Sequence, residues 1–172
     1  MIYFSGFSLR DESELFASIL SPWQKNPYTV AGFSYGAQKA LEYAYGAASR
    51  IDRLILISPA WFLDKKEPFI RAQLRAFERD REGYLRRFLA AAAAPSDMDL
   101  SPWLYPGSAD ELADLLRYPW PEEKLRGVVR RGTRIEIWLG GRDAIVDAYA
   151  AHDFFKTFGE SRLYRSCGHI LR

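Results

Sequence analysis

Five short apolar segments recur along the chain, separated for the most part by stretches of helical periodicity. The apolar segments cover residues 2–4, 28–33, 54–58, 135–139 and 162–164. Each is too short for a typical helix and rich in β-branched, aromatic or leucine side chains, as parallel strands covered on both faces should be. Residues 11–20, 37–48 and 147–158 carry apolar side chains at helical spacing instead. Asp11 and Glu12 suit a helix start, where negative charge meets the positive end of the helix dipole. Strands alternating with helices predict an α/β fold with one parallel sheet and right-handed crossovers.

One connection breaks the alternation. Between residues 58 and 135 the chain is rich in Arg, Leu, Phe and Ala, with helical patterns over 68–94, 109–118 and 122–130. Pro95, Pro102, Pro106, Pro119 and Pro121 punctuate them. The expected organisation is therefore a single domain over 1–172, with a helical lid inserted at about 61–131.

Chemistry concentrates where strands end. Gly32-Phe33-Ser34-Tyr35-Gly36 follows the second strand pattern and opens a helix pattern. Strand, G-x-S-x-G and helix together form a nucleophile elbow, a turn so sharp that larger residues at either glycine would clash. It presents Ser34 at the top of the sheet beside a helix N-terminus, where the N–H of Tyr35 can stabilise an oxyanion. A glycine-rich turn that merely carries a serine is the alternative reading.

A serine hydroxyl needs a base, and the base needs an orienting group. The chain has two histidines. His169 follows the last strand pattern in Ser166-Cys167-Gly168-His169 and is the candidate base, a structural histidine being the alternative. His152 lies inside a helix pattern and reads as a surface or packing residue. Asp143, in Gly140-Gly141-Arg142-Asp143 just past the fourth strand, is the candidate acid or else a turn aspartate. Asp147 reads as a helix cap. The order Ser34, Asp143, His169 is the one that strand–elbow–helix hydrolases use. After the first strand, Ser5-Gly6-Phe7-Ser8 is placed to supply a second oxyanion donor, the N–H of Phe7. Ser5 and Ser8 could add a contact or be turn serines.

Composition narrows the class. The chain has 172 residues, 48% hydrophobic and 27% charged, with a net charge of +2, so bulk charge predicts no nucleic-acid partner. Its one cysteine, Cys167, excludes an internal disulfide framework and makes a cytoplasmic location the expectation. No signal peptide, membrane span or metal-ligand pattern is legible, and neither cofactor nor metal is expected.

The elbow, Gly140-Gly141-Arg142-Asp143 and Gly168-His169 together resemble an α/β-hydrolase over the whole chain. The first oxyanion loop of that family is usually His-Gly; here it is Ser5-Gly6. An opening hairpin and one strand before the elbow strand are missing, so the expected fold is a reduced α/β-hydrolase of about five parallel strands. That compactness, with Phe4-Ser5-Gly6-Phe7 and Ala31-Gly32-Phe33-Ser34, is similar to the short pimeloyl-acyl carrier protein methyl ester esterases of bacterial biotin synthesis. The resemblance implies a serine carboxylesterase that removes the methyl ester of pimeloyl-acyl carrier protein, with the carrier as partner. Another acyl esterase or thioesterase, a catalytically inactive hydrolase-fold binding protein and a small-molecule receptor stay open.

The lid bears on that expectation. Residues 65–90 hold eight basic side chains against four acidic ones. Arg71, Arg75 and Arg79 recur every four residues and share one helix face, suited to an acidic carrier; a solvated face with Glu and Arg pairs is the plain alternative. Trp61, Phe62, Phe69, Phe77, Trp103 and Tyr105 are candidates to line an acyl passage or to fill core.

Overall fold

A computed structural model describes all residues, 1–172. The strands are β1 (Ile2–Phe4), β2 (Thr29–Phe33), β3 (Arg53–Ile57), β4 (Arg134–Gly140) and β5 (Glu160–Tyr164). They form one wholly parallel sheet in chain order, β1-β2-β3-β4-β5. The helices are α1 (Ala17–Leu20), α2 (Tyr35–Gly46), α3 (Glu67–Arg79), α4 (Arg81–Ala93), α5 (Ala109–Arg117), α6 (Glu122–Arg130) and α7 (Ala148–Phe155). All five predicted strands are present to within two residues.

Period-two alternation divides the strand side chains between two cores. Val30, Leu54, Leu56, Ile135 and Ile137 face α2, α6 and α7 through Leu41, Leu125, Val128 and Phe155. Ala31, Phe33, Ile55 and Ile57 face the other way, onto Phe16, Ile19 and Leu20. The segment leading to β2 therefore covers the face opposite α2, α6 and α7. Because strand order equals chain order, the first crossover has the opposite hand to the three that follow. Right-handed crossovers were expected throughout, and the strong preference for that hand makes the first one left-handed. The missing strand explains it. A chain running outward to an edge strand beyond β1 and back to β2 leaves its first helix on this face with both connections right-handed; removing that strand joins β1 directly to β2.

Two helical expectations change. Residues 11–20 form a 3-10 turn, Glu12–Phe16, before the short α1. The pattern over 68–94 breaks into α3 and α4 at Asp80, whose side chain caps α4 by accepting from the Gly83 N–H. The break folds α4 back so that Tyr84 meets Phe77 edge-on and its hydroxyl donates to Gln73. Within the long insertion, α3, α4 and α5 pack on one another through Ile70, Phe77, Leu85, Leu112 and Leu116. α6 instead lies against α2 in the sheet-covering layer.

The end of the chain is held by packing rather than by a helix. Ile170 is fully buried among Phe16, Phe33 and Ala93. The Gly168 N–H donates to the Arg172 carbonyl, and the Leu171 N–H to that of Gly168. Gly168 is required there, since a Cβ would lie 1.8 Å from the Ala94 carbonyl oxygen at the end of α4. Ile170→Ala should lower unfolding free energy by about 2–5 kcal/mol. A urea midpoint equal to that of the wild type would show the tail is not packed.

Candidate functional site

Ser34 joins β2 to α2 with φ 53° and ψ −113°, a conformation costly for a residue with a side chain. The surroundings enforce it. The Ser34 N–H donates to the Ile57 carbonyl, and the Ser34 carbonyl accepts from the N–H groups of Ala37 and Ala60. A Cβ on Gly32 would lie 2.1 Å from the Gly36 carbonyl oxygen, and one on Gly36 would lie 2.0 Å from the Phe4 carbonyl oxygen. These two glycines let helix, elbow and first strand meet.

Asp143 and His169 arrive from the ends of β4 and β5. Their loops are laced together: the Arg142 N–H donates to the Cys167 carbonyl and the Gly141 N–H to that of Tyr164. His169 Nδ1 lies 2.6 Å from Asp143 Oδ2, and His169 Nε2 lies 2.9 Å from Ser34 Oγ. The three predicted side chains, spread over 135 positions of sequence, thus form one continuous line. Asp143 makes contacts of both kinds, to the imidazole and within its own turn. Its Oδ1 accepts from the N–H groups of Ile145 and Val146, a turn contact that fixes the carboxylate while Oδ2 meets the imidazole.

The site is closed. Ser34 is 2% exposed and His169 1%, and the Asp143 side chain is fully covered. Phe33 packs against the imidazole with ring centroids 5.0 Å apart. Ser58 Oγ donates to the His169 carbonyl at 2.6 Å and holds its backbone. Nothing in the sequence marks Ser58 for this task, because its contact depends on residues 111 positions away. In such a setting the imidazole can accept the serine proton while Asp143 fixes its tautomer.

Phe7 and Tyr35, the two residues predicted to supply oxyanion donors, come together beside the elbow. The N–H of Tyr35, first residue of α2, and the N–H of Phe7 have no acceptor within the protein. Ser5, Gly6, Phe7 and Tyr35 line a common pocket of about 250 Å³, rimmed by Arg10, Lys39 and Glu111. Burial, with Asp114 and Glu111 nearby, pushes the Tyr35 phenol up to about 12, so it stays neutral under Lys39. The Ser8 hydroxyl accepts the Gly107 N–H and ties the loop to the insertion. Ser5 Oγ accepts the Asp11 N–H.

Of six aromatic candidates for an acyl passage, Phe62 and Phe69 line one cavity. It measures about 310 Å³ and also includes Phe88, Leu112, Leu115 and Ile145. Phe77 packs in the insertion core beside Phe7, Trp61 in the sheet core, and Trp103 donates to Glu14. Tyr105 lies beneath the Arg10 guanidinium. The cavity abuts the catalytic loop through Ile145 and the oxyanion loop through Phe88, whose ring meets Phe7 edge-on.

Sequence reasoning passed over Gln38. Buried one turn into α2, it donates to the carbonyls of Ala60 and Leu115 and pins α5 to the elbow helix. His152 bonds Ser161 within the α7–β5 layer, away from the elbow. Arg71, Arg75 and Arg79 are exposed on α3. Arg71 sits near Glu67, whereas Arg75 and Arg79 have no ion-pair partner. No group of three or more His, Cys, Asp or Glu side chains converges as a metal site would require, and no helix is long and apolar enough to cross a membrane.

Comparison with known proteins agrees with this fold. No curated protein matches the sequence. Among solved structures, the chain is similar to the hydrolase olei00960 from Oleispira antarctica, at 11% identity and TM-score 0.71, covering 98% of this chain and 83% of that one. It is similar to naproxen esterase from Bacillus subtilis at 16% identity and TM-score 0.60, covering 99% and 76%. It is similar also to MenH from S. aureus at 15% identity and TM-score 0.58, covering 98% and 85%. The sequence pattern of the alpha/beta hydrolase family matches residues 5–171. With its elbow, acid and base in the expected order and nearly its whole length matched, this chain belongs to the alpha/beta hydrolase family.

Proposed function

We propose that this protein is a serine carboxylesterase. The observation that carries the reading is the unbroken run of hydrogen bonds from Asp143 through His169 to Ser34. His169 takes the proton of Ser34 as its oxygen attacks the ester carbonyl. The N–H groups of Phe7 and Tyr35 receive the oxyanion. His169 then protonates the departing alkoxide, and water repeats the sequence to release the acid and regenerate Ser34. Asp143 steadies the imidazolium through the contact of its Oδ2 with Nδ1. Since Ser34 is covered, α3–α5 act as a lid that must shift to admit substrate.

The substrate we propose is the methyl ester of pimeloyl-acyl carrier protein, with methanol as the leaving group. Three features favour it: the short span between the first strand and the elbow strand, an apolar cavity of about 310 Å³ beside the Asp143 loop, and the basic face of α3. The cavity suits a methylene chain. Arg75 and Arg79, exposed and without carboxylate partners, suit an acidic carrier surface that docks while its acyl arm enters.

Ser34→Ala should lower kcat by about 10³-fold or more while leaving the unfolding curve unchanged. Labelling by a fluorophosphonate should vanish with it, and wild-type turnover by the variant would reject the nucleophile. Joint reversal of Arg71, Arg75 and Arg79 to Glu should slow turnover of the carrier-bound ester about tenfold or more at low salt, yet spare a small free ester. Equal loss on both substrates would remove the carrier role from this face.

A further inference from the structure

Glu12 is fully buried, yet the reaction just described gives it no part. A buried carboxylate is expensive unless its surroundings satisfy it. No cation pairs with this one. Its Oε1 accepts the Gly6 N–H at 2.8 Å and the Tyr3 hydroxyl at 3.0 Å. Its Oε2 has no partner at all. Burial, reinforced by Glu12, pushes the Tyr3 phenol far up, so that hydroxyl remains a donor.

The bond to Gly6 matters because of what lies across the next peptide. The Gly6 carbonyl accepts the Leu9 N–H at 3.2 Å. In a trans peptide the N–H points opposite to the carbonyl. Fixing the Gly6 carbonyl toward Leu9 therefore aims the Phe7 N–H the other way, and that N–H is the one left without an acceptor. The turn is thus clamped at both ends of Gly6: its N–H by Glu12 and its carbonyl by Leu9. Gly6 cannot be stiffened by a side chain, since a Cβ would lie 2.8 Å from the Phe33 ring. Glycine is the residue most free to rotate, so an outside clamp is what holds this loop in one conformation.

We infer that Glu12 is the positioning residue of the oxyanion site: through the Gly6 N–H it holds the Phe7 N–H in its donating orientation. This rests on the serine-esterase reading above. Glu12 touches neither substrate nor Ser34, and its effect falls on the transition state, where the oxyanion forms, rather than on substrate binding.

The test is a kinetic series on a small free ester with Glu12→Leu and Glu12→Gln. Glu12→Leu should lower kcat about 10- to 100-fold, less than or comparable to loss of a whole oxyanion donor, with KM unchanged within about twofold. Affinity for a trifluoromethyl ketone, which forms a tetrahedral oxyanion on the serine, should fall by the same factor. Glu12→Gln keeps an acceptor for Gly6 and should restore kcat to within about fivefold of wild type. The acid limb of the pH–rate profile should stay in place in both, because the His169–Asp143 contact is untouched. Wild-type kcat in Glu12→Leu, or a loss expressed only in KM, would overturn the assignment. Should both variants fail to fold, amide NMR of the wild type decides. The Gly6 proton should exchange slowly, and the Phe7 proton should move downfield when the ketone binds. A Phe7 amide indifferent to the ketone would overturn the role. A wild type that neither cleaves esters nor binds the ketone, with Gly6 still protected, would instead defeat the esterase reading and the role with it.

Discussion

The structure turns on a close approach of backbone to backbone. The α-carbon of Gly36, in the first turn of α2, lies so near the Phe4 carbonyl that a methyl group would sit 2.0 Å from its oxygen. That contact draws the N-terminus of the elbow helix against the end of the edge strand. It places Tyr35 beside the loop that carries Phe7, and the two residues line one pocket. A side chain there would push α2 away and separate the two donors.

The sheet that carries this contact has an unusual, left-handed first crossover. Its helical turn covers Ala31, Phe33, Ile55 and Ile57 on a face that a right-handed connection would have left to others. The fold keeps that unusual path because Phe16, Ile19 and Leu20 are needed there: without them the inner ends of β2 and β3 would meet water. Phe33 shows the economy of the arrangement. One side chain closes this core, blocks the space beside Gly6 and packs against the imidazole of His169.

The insertion does more than cover the site. Ala92 and Ala93 at the end of α4 join the core that seats Ile170, and Ala94 fits against Gly168. The segment ahead of α5 bonds Ser8 and Leu9 next to the oxyanion loop. α5 is pinned to the elbow helix through Gln38. The insertion is therefore attached near each element of the site.

Much of this was legible in the residues. Five strands follow from short apolar segments, because parallel strands covered on both faces need apolar side chains at nearly every position. Ser34, Asp143 and His169 follow from local patterns at strand ends, since a sharp elbow needs its glycines and loops past parallel strands gather on one rim. Other features were not legible. Asp80 reads as one more polar position within a helical pattern and becomes a break only because α4 folds back onto Phe77. Glu12 reads as a helix-start acid; its burial is set by the Gly6 N–H and Tyr3, which the fold carries to it. Gln38 and Ser58 gain their partners from residues 77 and 111 positions away. Local sequence determined which elements form and which groups can react, because those depend on near neighbours along the chain. Tertiary structure alone decided the hand of the first crossover, the closure of the site and the supports of its reacting groups, because those depend on contacts between distant segments that no local pattern encodes.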